Sequence, residues 1–542
     1  MVLFMVTGCP GGDDGEDGTD AGTSNGTDAG THHGSDAGTG GTGGPGGTSP
    51  MTVGGKVTYD FVPATYNPTT DTGTLAFAQT TVKPVRRAVV QAMKGTSVLA
   101  TTTTDEQGNY QLTFTPGTGT GQLALAVLAK TLTPAIQIED NADGNAIWAL
   151  WGMIPATGTT VNLHAAHGWT GTGYDPTRRS AAAFAVLDSM YTASRAFMAV
   201  RSVNFPALKV NWSPNNVPQG GDKSRGFIGT SHFSPSENEI YILGKQGVDT
   251  DEFDSHVIVH EWAHYFENNL SRSDSPGGPH TTGDVLDPRI AFGEGYGNAL
   301  AAMVLPESLY VDTSWSGTSG AMRAFGFDAE TAPSPTDDPT PGTFSEASVM
   351  RILYDLYDSG AGEGHDSVGL GLGPLYDVLV GPQRTTDAMT TIGSFVAGLK
   401  AQPGVNASAV NALLAHYGVG AITTQWGDGD PGLSGMYIRP SAFPYNGSLS
   451  LGGGYPSNSW QQNQYYVFTG NGASATVSAT SNGDVGLAVY QKGSLVAQTD
   501  QVYGGTETLS LSTRSGTTYV VVLTGYQDTQ GDYPVSVSIK SP

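Results

Sequence analysis

Cysteine is nearly absent from this chain: Cys9 is the only one in 542 residues, which excludes a disulfide within the chain and any thiolate metal cluster. No apolar run approaches the roughly 18 residues needed to cross a bilayer as a helix. Basic residues are few, 24 against 49 acidic, for a formal net charge of −25. Phosphate backbones would be repelled, so nucleic acid is excluded as a partner. Histidine is scarce too, with 11 in the chain, so two of them four residues apart stand out.

Those two lie in His260-Glu261-Trp262-Ala263-His264. At about 3.6 residues per helical turn, positions i and i+4 share a face, so both imidazoles can point at one metal while Glu261 stands close enough to take a proton from water. Val257, Ile258, Val259, Trp262, Phe266 and Leu270 supply apolar positions for a buried helix, and Asp254 with Ser255 offers N-cap chemistry before it. The competing reading is an ordinary amphipathic helix with surface histidines. A catalytic zinc site usually has three protein ligands and an open fourth position. The best third candidate is Glu294, in Phe292-Gly293-Glu294-Gly295-Tyr296-Gly297-Asn298, thirty residues after His264 at the head of a second apolar, Ala-rich run. Its alternative role is that of an acid favoured by a helix N-terminus.

With these residues the chain resembles the gluzincin metallopeptidases of the thermolysin and fungalysin families, whose third zinc ligand is a glutamate on the helix after the HExxH helix. The Gly-Glu-Gly surround is more similar to fungalysin. The resemblance covers roughly residues 170 to 430 and implies zinc as cofactor, protein or peptide substrates, and Glu261 as general base. It also implies that Asn238-Glu239-Ile240-Tyr241-Ile242-Leu243-Gly244 is an edge strand holding extended substrate, with Asn238 in substrate binding. Arg323 falls where such enzymes carry an arginine near the substrate carbonyl, and Ser345 to Tyr354 resembles a later helix of the fold. Two departures stand out. Pro341-Gly342-Thr343-Phe344 lacks the oxyanion histidine of thermolysin-like enzymes, leaving His365, Tyr354, Tyr357 and Arg323 as candidate donors. Asn298 stands where the families place an aspartate beside a ligand histidine, and such changes around a metal typically cost about 10- to 100-fold in affinity or activity.

Three other histidines are given bland roles. His256 is expected to line the cleft or sit in the core at the helix start, while His232 and His280, among Ser, Pro and Gly, are expected in solvated loops. Calcium is a second candidate cofactor, at the Asp-rich turns Thr336-Asp337-Asp338-Pro339 and Gly427-Asp428-Gly429-Asp430, for which solvated acidic turns are the alternative.

Around this core the composition changes. Val6-Thr7-Gly8-Cys9 resembles a bacterial lipobox, which implies lipidation of Cys9 and a lipid anchor to a membrane. The apolar segment before it is short and lacks a basic start, so the expectation is that the sequence begins inside a longer signal. Residues 10–50 are almost wholly Gly, Asp, Thr, Ser, Ala and Pro and read as a flexible tether. Residues 52–165 read as short strands, with Tyr110, Leu112 and Phe114 facing one core, and resemble a carboxypeptidase regulatory-like β-sandwich. Residues 440–542 read as a second sandwich and resemble the bacterial pre-peptidase C-terminal domain.

The expected architecture is multidomain: a thermolysin-like α+β metallopeptidase domain at 170–435 flanked by two all-β sandwich domains, after a truncated lipoprotein signal at 1–9 and a tether. The expected activity is zinc-dependent endopeptidase hydrolysis through metal-activated water, on a bacterial cell-surface or outer-membrane lipoprotein or a form released from it. The alternative is an inactive peptidase-like zinc-binding surface protein in adhesion or glycan binding. Nothing in the sequence fixes an oligomeric state.

Overall fold

The computed structural model describes residues 6–7, 49–118, 121–155, 159–317, 320–331, 337–358, 360, 364–452, 458–501, 503–526 and 531–540. Cys9, most of the tether and Thr336 lie outside them. The chain is multidomain and rich in β-structure, with several sheets and a few helices. It divides into two compact units, one of residues 12–265 and 304–327, the other of residues 1–11, 266–303 and 328–542.

The first unit opens with two four-stranded sheets. In one, strand Met51–Phe61 pairs with Asn109–Phe114 and Thr81–Pro84. Side chains alternate across a strand, and here Tyr110, Leu112 and Phe114 are buried while Asn109, Gln111 and Thr113 are exposed, as their period-2 pattern predicts. The other sheet runs Ala149–Met153, Leu123–Leu128, Val89–Lys94, Ser97–Thr103. Lys130–Leu132, Ala135–Asp140 and Ala146–Ile147, which the sequence reading placed in this first sandwich, pair elsewhere. Ala135–Asp140 lies parallel to Leu208–Trp212 in a six-stranded sheet. Alternation identifies a strand but not its neighbour, which is set by contacts distant in sequence.

Helix α1, Ala181–Val200, packs on strands Met51–Phe61 and Ala135–Asp140. Asp188 on α1 accepts from Tyr59 (2.9 Å) and from Arg86 Nε (2.6 Å), tying helix to sheet. Helix α2, Ser255–Leu270, carries the HExxH motif. Ile258, Val259, Trp262, Ala263 and Phe266 are fully buried and His260 is 3% exposed, so α2 is a core helix in which His260 is not a surface residue. Trp262 stacks on Phe197 of α1 at 5.6 Å and meets Phe205 at 5.4 Å. Burying a side chain of this size is a large stabilising term, and truncation to alanine typically costs about 3–5 kcal/mol.

Asp254 does not cap α2 with its side chain as expected. Both carboxylate oxygens accept from Thr313 instead, from its backbone N–H at 2.8 Å and its hydroxyl. They thus fasten the start of α2 to strand Leu309–Trp315.

In the second unit, helix α3, Pro288–Val304, is buried through Met303. Asp287 caps it, accepting from Arg289 N at 2.9 Å, with Pro288 at the first helical position, where its missing N–H costs nothing. Helix α4, Glu346–Tyr357, is capped by Ser345, which accepts from Ser348 N. A Cβ at Gly295 would come within 2.7 Å of Val349 and 2.9 Å of the Glu346 carbonyl, so α3 and α4 approach too closely there for any larger residue. The C-terminal eight-stranded sheet is built around the long strand Ser474–Gln491, whose register shifts between Ser481 and Asp484. Its core includes Tyr466, Val477, Val489, Val521, Leu523 and Ile539, from the segments expected to be strands.

Candidate metal centre

α2 presents His260 and His264 one turn apart, and their Nε2 atoms are 3.0 Å apart, so both rings aim at one point. Their rings meet edge to face, 4.8 Å between centroids. Glu294, the expected third ligand, lies on α3 in the second unit. His260 and Glu294 are each 3% exposed, so the donors are held in a dry setting where a charge on Glu294 calls for a partner. Two imidazole nitrogens and a carboxylate oxygen are the donor set that zinc accepts.

Glu261 is 8% exposed, and one of its oxygens accepts the backbone N–H of Phe233 at 2.8 Å. Phe233 lies in strand His232–Ser234, which pairs only with Glu239–Ile242 in its sheet. This corrects the expected edge strand: Glu239–Ile242 is interior, between Leu208–Trp212 and His232–Ser234, and the edge beside Glu261 is His232–Ser234. Asn238 sits in the turn joining the two strands, with φ of 56° and its N–H bonded to Ser234 O at 2.8 Å. A left-handed residue in a tight connection is a common place for asparagine.

His232 and His280 are not solvated loop residues, since each is 2% exposed. His232 stacks on Tyr241 at 5.2 Å, and burial pulls its pKa down to about 4. His280 Nε2 lies 3.6 Å from Glu294 and 3.4 Å from Glu346, between two buried carboxylates. Its Gly- and Pro-rich surroundings gave no sign of this. His256 Nε2 donates to the backbone carbonyl oxygen of Glu307 at 3.0 Å, so that Nε2 carries the proton. Burial lowers its pKa.

Tyr310 was not singled out by sequence. Its ring is 6.4 Å from that of His260 and 5.5 Å from that of His256. Burial, then the charges of Asp312 and Glu261, push its pKa well above the ordinary phenol range, so it remains a neutral O–H donor. Arg323 donates through Nε to Ser314 at 3.3 Å, and its charge acts on Asp312. His365 stacks on His416 at 3.8 Å and lies 3.4 Å from Asp355. Tyr354 and Tyr357 contact one another at 6.1 Å, and burial raises Tyr354 to about 12. Asn298 is four residues after Glu294 on α3 and therefore on the same face, 7% exposed.

Carboxylate oxygens of the Asp-rich turns accept hydrogen bonds, although Asp338 Oδ1 is buried without one. Asp338 accepts from Ser348 Oγ at 2.5 Å. Asp430 caps the helix Pro431–Met436, and Asp428 accepts from Thr424 and Arg439.

No protein-family model matches the chain, and no curated protein matches it. Among solved structures, the pre-peptidase C-terminal domain of collagenase from Bacillus anthracis is similar at 13% sequence identity, over 19% of this chain and 92% of that one, with a TM-score of 0.15. No argument below rests on that likeness.

Proposed function

We propose that the chain is a zinc-dependent endopeptidase of the gluzincin type, with a thermolysin- or fungalysin-like α+β domain at its centre. The observation that carries the reading is the 3.0 Å approach of the His260 and His264 Nε2 atoms on α2, with Glu261 beside them. His260, His264 and Glu294 hold the metal. Zinc, when bound, polarises the scissile carbonyl and brings the pKa of a water molecule near neutrality.

Glu261 takes the proton of the attacking water and delivers it to the leaving amine. The Phe233 N–H fixes one of its oxygens and so the direction of the other. Extended substrate adds to the edge strand His232–Ser234, replacing the role first assigned to Glu239–Ile242. Tyr310, neutral and close to His260, joins the candidates for the oxyanion donor. His280, lying between Glu294 and Glu346, orients Glu294. The protein is carried on a bacterial surface or outer membrane by a lipid on Cys9, and its substrates are proteins or peptides.

The test is cleavage of a denatured-protein or peptide library by the full chain, with and without chelator. Cleavage abolished by chelator and restored by zinc is expected. A zinc-loaded protein that cleaves nothing would turn the reading to a peptidase-like surface protein in adhesion or glycan binding. Cys9→Ser, expressed with a complete upstream signal, is expected to release the protein from the membrane fraction; an unmodified thiol in membrane-bound protein would refute the anchor.

A further inference from the structure

Three aspartates that the peptidase reading does not use converge within the first unit. Asp249 lies in the short strand Asp249–Thr250, opposite Ser314 of strand Leu309–Trp315, which brings Asp312 alongside. Asp251 opens the 3-10 turn Asp251–Phe253 that leads into α2. One carboxylate oxygen from each of Asp249, Asp251 and Asp312 lies within 4.8 Å of the other two.

Asp251 is 4% exposed; its Oδ2 accepts from the Ser231 hydroxyl, while its Oδ1 is buried with no hydrogen-bond partner. Oδ1 of Asp249 is likewise buried and unpartnered. Two other acids nearby have partners of their own, although Glu252 Oε2 is also buried without one. Asp254 is held by Thr313, and Glu252 forms a buried ion pair with Arg179. Arg323 acts on Asp312, which leaves one guanidinium against three carboxylates.

We propose that Asp249, Asp251 and Asp312 form a buried calcium site, separate from the histidine cluster and independent of the peptidase reading. Ionised carboxylates only accept hydrogen bonds, so three of them facing one point require a positive occupant. The donors are all oxygens, which suits a hard cation rather than zinc. Calcium takes six to eight oxygens at about 2.3–2.6 Å in irregular geometry, and a shell about 4.6–5.2 Å across accommodates the observed cluster. Magnesium demands near-octahedral geometry and retains several waters, for which a buried set of side chains is poorly suited. Burial, reinforced by mutual repulsion, raises Asp249 and Asp251 well above the ordinary carboxylate range, and burial takes Asp312 to about 7. Without a cation the cluster would therefore hold protons instead. With one, it pins the segment entering α2 to strand Leu309–Trp315.

The experiment uses the full chain, stripped with chelator and reloaded with zinc so that the histidine cluster is constant. Calorimetric titration with calcium chloride is expected to show binding at one site that Asp251→Asn weakens by about tenfold or more. Calcium is expected to raise the melting temperature of the wild type by mass action. In chelator the order reverses: Asp251→Asn, which stays neutral at constant shape without taking up a proton, is expected to melt above the wild type. Asp249→Asn repeats the test should Asp251→Asn fail to fold. A wild type that neither binds calcium nor melts higher with it would show that the aspartates share protons and would overturn the site. So would calcium binding of undiminished affinity in both variants, or magnesium binding as tightly as calcium.

Discussion

Beside the first half of α2 the molecule buries two groups of ionisable side chains that handle charge in opposite ways. At His260 and His264 two imidazoles, uncharged when they ligate, face one another at 3.0 Å, and Glu261 has a backbone N–H to hold it. At Asp249, Asp251 and Asp312 three like groups face one another, offset by the Ser231 hydroxyl, the Thr250 backbone N–H and the charge of Arg323. Two like charges about 4 Å apart repel by about 4 kcal/mol at an effective dielectric constant near 20. A hydrogen bond returns a net of only about 1 kcal/mol. The neutral imidazoles therefore tolerate an open position beside them, whereas three aspartates facing one another call for protons or a cation. On the two proposals above, that is the difference between a catalytic and a structural cation site, and the variants below are chosen to separate the two groups.

The largest effect is expected from Glu261→Gln. The amide is nearly isosteric and does not hold the metal, but it cannot accept the proton of water. Peptidase activity should fall by about 10²- to 10⁴-fold with zinc content unchanged. Equal rates for wild type and variant would remove Glu261 from the mechanism, and loss of zinc would mean that it supports the metal instead. Glu294→Ala is the companion measurement, with reduced zinc occupancy expected by elemental analysis.

Acid should expose the edge strand that holds Glu261. Burial depresses His232 to about 4 in the folded chain, against about 6.5 when unfolded. The unfolded state therefore binds the proton first, so the stability contributed by neutral His232 is complete above about pH 6.5 and is lost progressively as pH falls towards 4. The full loss is on the order of 3 kcal/mol. His232→Phe keeps the stacking on Tyr241 without the titration. Urea denaturation across this range should show a flatter pH dependence in the variant; parallel curves would assign the acid sensitivity to other groups.

How much of this was legible in the sequence follows from how each cluster is assembled. His260, Glu261 and His264 are neighbours on one helix, so a five-residue pattern fixes their geometry, and the apolar flanks announced that the helix is buried. Gly295 was read only as part of the surround of Glu294, and the close approach of α4 to α3 there came from the structure. The aspartate cluster gave no comparable signal. Asp249 and Asp312 meet only because their strands pair, and strand pairing is decided by the whole sheet. The same reason explains the edge strand, placed at Glu239–Ile242 when it is His232–Ser234. His232 and His280 were read as solvated because Ser, Pro and Gly surround them. Such residues mark turns in the chain, not the distance of a turn from the core.

A smaller effect, of about 1–3 kcal/mol, is expected for Gly295→Ala. The new methyl would meet Val349 and the Glu346 carbonyl below ordinary contact distance, so α3 must shift and carry Glu294 with it. Urea denaturation should show the loss of stability, and elemental analysis should show less zinc but unchanged calcium. A change in calcium alone would mean that the two clusters are coupled through α3, against the separation drawn here.

The smallest effect belongs to the link between strand Leu309–Trp315 and α2. Thr313→Val preserves shape and the backbone N–H but removes the hydroxyl that Asp254 accepts from. One hydrogen bond of two or three is lost, and the remaining N–H keeps the carboxylate from being stranded, so the cost should be about 1 kcal/mol. Its informative readout is which metal responds. Thr313 adjoins Asp312, and loosening the strand should weaken calcium binding several-fold while zinc occupancy stays as in the wild type. If zinc falls and calcium does not, Asp254 serves to aim α2 and its histidines, and the aspartates do not depend on the strand for their position.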